Sequence, residues 1–170
     1  MPARTDSFAL NRLGLAPGEG RPLDLTVAME PLHFAAQDYS PGDETDVRLD
    51  VSRTTGPGYA LRLRFGVALH GPCQRCLEDA GADIEVDARE IEQPEGGDEL
   101  NSPYVDGDDL DLRAWARDAL VLALPTQIVC GPECRGLCAL CGVNLNEDPS
   151  HEHERPPDPR WAKLSELELE

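Results

Sequence analysis

The chain has 170 residues, and its 33 acidic and 15 basic side chains give a formal net charge of -18 at pH 7. A hydrophobic content of 40% suffices for one domain of ordinary size plus a small appendix, while the net charge disfavours unaided binding to nucleic acid. No signal-peptide-like run or membrane-span-like stretch is present, so we expect a cytoplasmic protein that does not bind membranes.

Three segments alternate between apolar and polar residues, which is typical of half-buried strands. In chain order they cover residues 21–29, 46–53 and 59–69, and a further strand is predicted at about 82–92. A turn at 54–58 predicts a hairpin between the second and third of these segments. Residues 93–108 are rich in Gly, Pro, Asp and Glu, and they predict an exposed acidic loop.

Apolar residues at helical spacing follow this loop. They are Leu112, Trp115, Ala119, Leu120 and Leu122. They predict a helix at about 111–123, with Asp109 or Asp111 as its N-cap and Pro125 just beyond its end. A second short helix is predicted at about 158–169.

These elements predict an α+β fold, with a mainly antiparallel β-sheet, a packed helix and a C-terminal zinc-stapled module. We place an α+β sheet domain at residues 1–127. A cysteine-rich zinc module with the C-terminal helix then occupies 128–170. The second part has few large aliphatic side chains, so we expect a metal ion to stabilise it.

Six cysteines and two histidines stand at spacings typical of metal ligands. They are Cys73, Cys76, Cys130, Cys134, Cys138, Cys141, His151 and His153. Clustered cysteines in a reducing compartment favour metal binding over disulfides. The first C-x2-C lies in a turn between two predicted strands, whereas a redox thiol pair needs a helix N-terminus.

The spacing leaves two ligand pairings open, with one or two zinc ions. In the first, the four cysteines of 130–141 form one site, and Cys73 and Cys76 pair with the two histidines or stay free. In the second, the two C-x2-C pairs form a four-cysteine site, and Cys130, Cys134, His151 and His153 form a mixed site. Both are closed, structural arrangements, because neither keeps the open position that zinc catalysis requires.

The motifs resemble those of a known family. In chain order they are Cys73-Gln74-Arg75-Cys76-Leu77, a helix end at Leu124-Pro125, the cysteine segment 130–146 and Asp158-Pro159-Arg160. Over about residues 70–167 their order and spacing are similar to the bacterial YceD family. Some members carry C-x-C where this chain has His151-Glu152-His153, an exchange that keeps two ligands. The resemblance implies a role in 23S ribosomal RNA accumulation and large-subunit biogenesis.

We therefore expect a non-enzymatic factor. The sequence lacks a nucleophile beside a base, a phosphate-binding glycine loop and an H-E-x-x-H motif. Its acidic 78–111 segment, with fourteen acids and one arginine, is expected to bind a basic ribosomal protein or a pre-ribosomal particle.

Direct RNA contact is left open, because four arginines can form a local basic face. These are Arg62, Arg64, Arg75 and Arg113. The alternatives are a zinc-stapled protein–protein adaptor unrelated to ribosomes and, less favoured, a redox role for the C-x2-C pairs.

Overall fold

Nine strands and one α-helix form the fold in the computed structural model, which describes residues 5–34 and 36–153. In chain order these are β1 (Phe8–Ala9), β2 (Gly20–Ala28), β3 (Leu32–Phe34), β4 (Gln37–Tyr39), β5 (Glu44–Arg53), β6 (Tyr59–Pro72), β7 (Asp79–Glu92), β8 (Val105–Asp106), β9 (Asp109–Leu110) and α1 (Leu112–Ala123). The four predicted strands are confirmed as β2, β5, β6 and β7, and the last three extend further than expected.

The main sheet has the strand order β2-β5-β6-β7, and every neighbouring pair is antiparallel. One face of β6 is buried along its whole length, from Tyr59 through Leu63 to Leu69. The alternation in the sequence therefore identifies the core face correctly. β6 and β7 form a long hairpin whose pairing runs from Tyr59 and Glu92 to Pro72 and Asp79. This hairpin ends at the first pair of cysteines.

Helix α1 packs on the buried face and contacts β7 and β2, which are the two edge strands of the main sheet. Trp115 is almost fully buried. The Asp111 side chain accepts a hydrogen bond from the backbone N–H of Ala114 at 2.9 Å, so the predicted N-cap is confirmed at Asp111. Leu124 has extended backbone, because the residue before a proline is disfavoured in the helical region. None of the helices that the structure describes has the length and apolar character needed to cross a membrane.

The predicted acidic loop at 93–108 is only partly irregular. It contains a short 3-10 turn at Asp98–Leu100 and strand β8, which pairs with β9, while β9 also pairs with β1. Ser102 is buried, and its backbone N–H donates to the buried Glu92 carboxylate at 2.8 Å. The prediction of a fully exposed loop was therefore wrong at this point, because a buried acceptor holds the chain against the sheet.

Carboxylates neutralise most of the basic face considered from the sequence. Arg62 forms two hydrogen bonds with Asp87, at 2.8 and 2.6 Å. Arg64 pairs with Asp50 at 2.6 Å. In the same way, Arg113 is hydrogen-bonded to Glu30. The outer face of the sheet therefore carries paired charges in place of the free arginine cluster that RNA binding would use.

The short hairpin β3–β4 anchors the end of β6. The Tyr39 hydroxyl, at the end of a buried side chain, donates to the carbonyl of Pro72 at 2.8 Å. Gly71 approaches the same ring so closely that a Cβ there would lie 2.4 Å from Tyr39 Cδ1. This contact fixes the strand end from which Cys73 follows. The predicted helix at 158–169 lies outside the described residues.

Candidate metal centres

The turn between β6 and β7 presents Cys73 and Cys76. It is closed by backbone hydrogen bonds from Cys73 to Glu78 at 2.6 Å and from Leu77 to Cys73 at 3.0 Å. The segment after α1 is attached to this turn, because the Gln74 N–H donates to the Ile128 carbonyl at 2.9 Å. This bond places the segment that contains Cys130 and Cys134 beside the tip of the hairpin.

The first group of candidate ligands consists of Cys73, Cys76, Cys130 and Cys134, whose sulfurs all lie within 4.8 Å of one another. The Cys73 and Cys134 sulfurs are 3.8 Å apart, and those of Cys76 and Cys130 are 3.5 Å apart. Four thiolates placed tetrahedrally about 2.3 Å from one ion are separated by about 3.8 Å. The group therefore has the size of a four-thiolate metal site. Three of its four cysteines are buried.

The second group consists of Cys138, Cys141, His151 and His153, and its ligand atoms also lie within 4.8 Å of one another. The Cys141 sulfur is 3.1 Å from His151 Nε2 and 3.2 Å from His153 Nε2, and the two nitrogens are 2.9 Å apart. The second C-x2-C turn is closed by the Gly142 N–H, which donates to the Cys138 carbonyl at 2.8 Å. This group lies nearer the surface, with Cys141 and His153 exposed.

All eight predicted ligands fall into these two groups, but the grouping differs from both predicted pairings. Both pairings put Cys73 and Cys76 in a different set from Cys130 and Cys134, whereas the structure brings these four together. Between Cys134 and Cys138, Gly136 has a left-handed backbone with a φ of 76°, and the next N–H, of Leu137, donates to the Arg75 carbonyl at 2.9 Å. Cys134 and Cys138 therefore join different groups although three residues separate them.

The thiol pKa values of the first group are shifted in opposite directions. Burial raises the pKa of Cys73, but the backbone N–H groups of Cys76, Arg75 and Cys130 outweigh it and lower the pKa to about 6. For Cys130, the adjacent Cys76 and Cys134 sulfurs raise the pKa to about 12. Thiolates this close repel one another, so a metal ion among them would favour ionisation of all four.

In the second group the turn itself favours a thiolate. The backbone N–H groups of Leu140 and Cys141 are the main reason that the pKa of Cys138 is lowered to about 6. Two thiolates and two imidazoles at this spacing form a donor set that suits a borderline metal ion. Each group can therefore hold one metal ion.

Asn146 is a supporting residue that the sequence analysis missed. Its side-chain nitrogen lies 3.5 Å from the Cys134 sulfur, and this contact is the main cause of the lowered Cys134 pKa. The Asn146 side-chain oxygen accepts the Arg135 N–H at 2.8 Å, and the Arg135 guanidinium donates to the Pro149 carbonyl at 2.9 Å. These bonds connect the two groups. The signal in the sequence was the pair of asparagines, Asn144 and Asn146, three and five residues after Cys141.

Leu77, directly after Cys76, is the other unusual residue of the first turn. Its φ of 67° lies in the left-handed region, which residues other than glycine, asparagine and aspartate rarely adopt. Its side chain is also 55% exposed. The turn that places Cys73 and Cys76 therefore holds a leucine in a strained conformation without burying it.

Comparison with known proteins gives a consistent result. Residues 61–168 match the family model described as "Large ribosomal RNA subunit accumulation protein YceD". An uncharacterised protein of Mycobacterium tuberculosis is 33% identical over 165 residues, which cover 92% of this chain and 78% of that protein. A similar uncharacterised protein of Mycobacterium leprae is 33% identical over 171 residues, covering 94% of this chain and 76% of its own length.

A maize protein named "Large ribosomal RNA subunit accumulation protein YCED homolog 1, chloroplastic" is 34% identical over 76 residues. That match covers 45% of this chain and 22% of the maize protein. No solved structure matches the chain.

Proposed function

Since this chain belongs to the YceD family, we propose that it is a non-enzymatic factor supporting 23S ribosomal RNA accumulation and large-subunit biogenesis. The observation that carries this proposal is the family match over residues 61–168, a range that includes all eight candidate ligands. The name of the maize relative points in the same direction. We place its action in the cytoplasm, where bacterial ribosomes are assembled.

Two structural zinc ions are part of the proposal, one in each group. Four-thiolate and two-thiolate, two-imidazole sets are typical of structural zinc, and the sulfur separations of the first group fit a tetrahedral ion. Four protein ligands leave no open position for a metal-bound water, which supports a structural role for the metal. In the first group the ion would hold the β6–β7 turn against the segment after α1.

Metal analysis of protein purified without a metal-affinity tag tests the zinc sites. We expect two zinc ions per chain, and one in each of two variants, Cys73→Ser/Cys76→Ser and Cys138→Ser/Cys141→Ser. A folded wild-type protein with no bound metal would refute this part. Such a result would favour the alternative in which the free thiols of the C-x2-C pairs have a redox role.

Deletion of the gene in its own host tests the ribosomal role. We expect the ratio of 23S to 16S ribosomal RNA to fall, free large subunits to decrease, and the wild-type gene to restore both. A gene that carries Val121→Ser, a substitution at an exposed position of α1, should restore both as well and serves as the control for complementation. Unchanged ribosomal RNA and subunit profiles in the deletion strain would refute the ribosomal role.

The second candidate is a zinc-stapled adaptor whose partner is unrelated to ribosomes. It is kept because the relatives aligned over most of this chain are uncharacterised, and the maize match covers only 45% of it. For the ribosomal role we propose a basic ribosomal protein or a pre-ribosomal particle as partner, in line with the net charge of -18. A pull-down at graded salt that retains no ribosomal protein would favour the adaptor.

A further inference from the structure

β7 is an edge strand with one open side. It pairs with β6 along its whole length, and no backbone hydrogen bond joins its other edge to any residue in 5–34 or 36–153. The opposite edge of the sheet differs, because the Thr5 N–H donates to the Thr26 carbonyl of β2 at 2.8 Å. An open edge presents a row of unpaired N–H and C=O groups that can pair with another strand.

A groove runs along this open edge. It consists of two adjoining cavities of about 350 and 420 Å³, the first lined by residues 86–90 of β7 and the second by residues 81–85. Side chains of successive strand residues point to opposite faces, so a cavity lined by five residues in a row borders the backbone edge itself. Ala123, at the end of α1, lines both cavities, so the two adjoin. We call residues 81–90 with their facing wall the β7 groove.

The facing wall of the β7 groove is mostly apolar, with Tyr104 and Gln127 as its polar members. Its accessible apolar surface comes from Leu122, Pro125 and Val129, which lie over the buried side chains of Trp115, Ala119 and Ile128. Leu122 is 86% exposed, which is unusual for a large aliphatic side chain on an otherwise packed helix. The wall therefore offers apolar surface to one face of an added strand.

The charge along the β7 groove is negative. Asp83, Glu85 and Glu90 line it without an ion pair to any residue that the structure describes. Asp87 is already held by Arg62, and Arg89 is the basic residue of this stretch. Phosphate backbones are repelled by such a surface, whereas lysine and arginine side chains are attracted.

We propose that the β7 groove binds an extended basic segment of a partner protein, which adds to the main sheet as a fifth strand beside β7. Main-chain hydrogen bonds to the open edge would supply affinity, and the apolar wall and the carboxylates would select alternating apolar and basic side chains. The ten residues of the groove accommodate a segment of about 33 Å. This inference rests on the proposed function for its partner class, a basic ribosomal protein, and adds the binding surface and the conformation of the bound segment.

Purified full-length protein and a designed peptide test the groove separately from the ribosomal phenotype. The probe is a fluorescent peptide of about ten residues that alternates valine and lysine, and the control peptide alternates valine and glutamate. We expect the lysine peptide to bind at least about tenfold more tightly at physiological salt, with an affinity that falls as salt rises. Amide hydrogen exchange should show new protection at alternate residues of 81–90.

Matched variants locate the binding site. Leu122→Ser should weaken binding of the lysine peptide by about tenfold, because a leucine side chain is then no longer buried by the peptide. Val121→Ser, at the neighbouring exposed position outside the groove, should bind like the wild type. Replacing Asp83 and Glu85 by their amides should reduce the salt dependence.

Several results would overturn the inference. One is equal binding of the two peptides, and another is new protection confined to other strands. Outer-edge amides of β7 that are already protected in the free monomer would mean that the chain covers its own edge. Protection that appears only as protein concentration rises would assign the groove to a second copy. None of these results would alter the ribosomal RNA phenotype of a deletion strain, so the two proposals can fail independently.

Discussion

Removing one ligand from each metal group should destabilise the protein unequally. The contact between Cys76 and Cys130 spans 54 residues of chain, whereas the contact between Cys141 and His151 spans 10. A cross-link stabilises a fold by lowering the entropy of the unfolded chain, in proportion to 1.5R times the logarithm of the loop length. For zinc-loaded protein this difference in loop length amounts to about 1.5 kcal/mol at 25 °C in favour of the first group.

The matched variants are Cys134→Ser and Cys141→Ser. Burial increases the expected difference, because Cys134 is 5% exposed and a serine there places a hydroxyl where a sulfur was packed. Urea unfolding should therefore give a free energy lower by at least about 1.5 kcal/mol for Cys134→Ser than for Cys141→Ser. Zinc analysis of both variants establishes that each has lost one ion. Equal destabilisation, or a larger effect of Cys141→Ser, would refute the assignment of the long loop to the first group.

Three further predictions concern single positions of the fold. Asp111→Ala should lower the free energy of unfolding by about 1 kcal/mol, because the N-cap of α1 is lost. The control variant Asp109→Ala should leave that free energy unchanged. Equal losses for the two variants in calorimetry would contradict the capping role of Asp111. Leu77→Gly should raise the free energy of unfolding by about 0.5–1 kcal/mol, because glycine adopts the left-handed backbone without strain and little apolar contact is lost. A lower melting temperature for this variant would show that the leucine side chain is needed in the turn. Gly71→Ala should lower the free energy of unfolding by about 1–3 kcal/mol, since the new Cβ would overlap the Tyr39 ring. If this variant unfolds at the same urea concentration as the wild type, the ring can move at no cost and the reasoning is refuted.

The sequence predicted the main sheet because each of its strands has one buried and one solvated face. The alternation along β6, from Tyr59 to Leu69, records that difference residue by residue. The small sheet of β1, β9 and β8 was missed because strands of two residues are too short to show a period. The ordered position of Ser102 was missed because it depends on the carboxylate of Glu92, ten residues earlier, whose burial is not evident from a charged side chain in an acidic segment.

The candidate ligands could be identified from spacing, but their grouping could not. Ligands that are close in sequence need not share an ion when the backbone between them is held elsewhere, as the Leu137 N–H is by the Arg75 carbonyl. The partners of Cys73 and Cys76 are set by where the β6–β7 hairpin ends and by the bond through which Ile128, five residues after α1, is attached to the hairpin turn. Both are properties of the whole sheet, so local spacing carries no information about them.

The separation between the two halves of the first group also has a consequence for protein synthesis. Cys76 is translated 54 residues before Cys130, which at about 5–20 residues per second corresponds to roughly 3–11 s. During that interval the nascent chain has two thiols of the group and lacks the other two. A four-thiolate site of this kind can form only after the sheet and α1 have been synthesised, so capture of its ion would mark the completion of the domain.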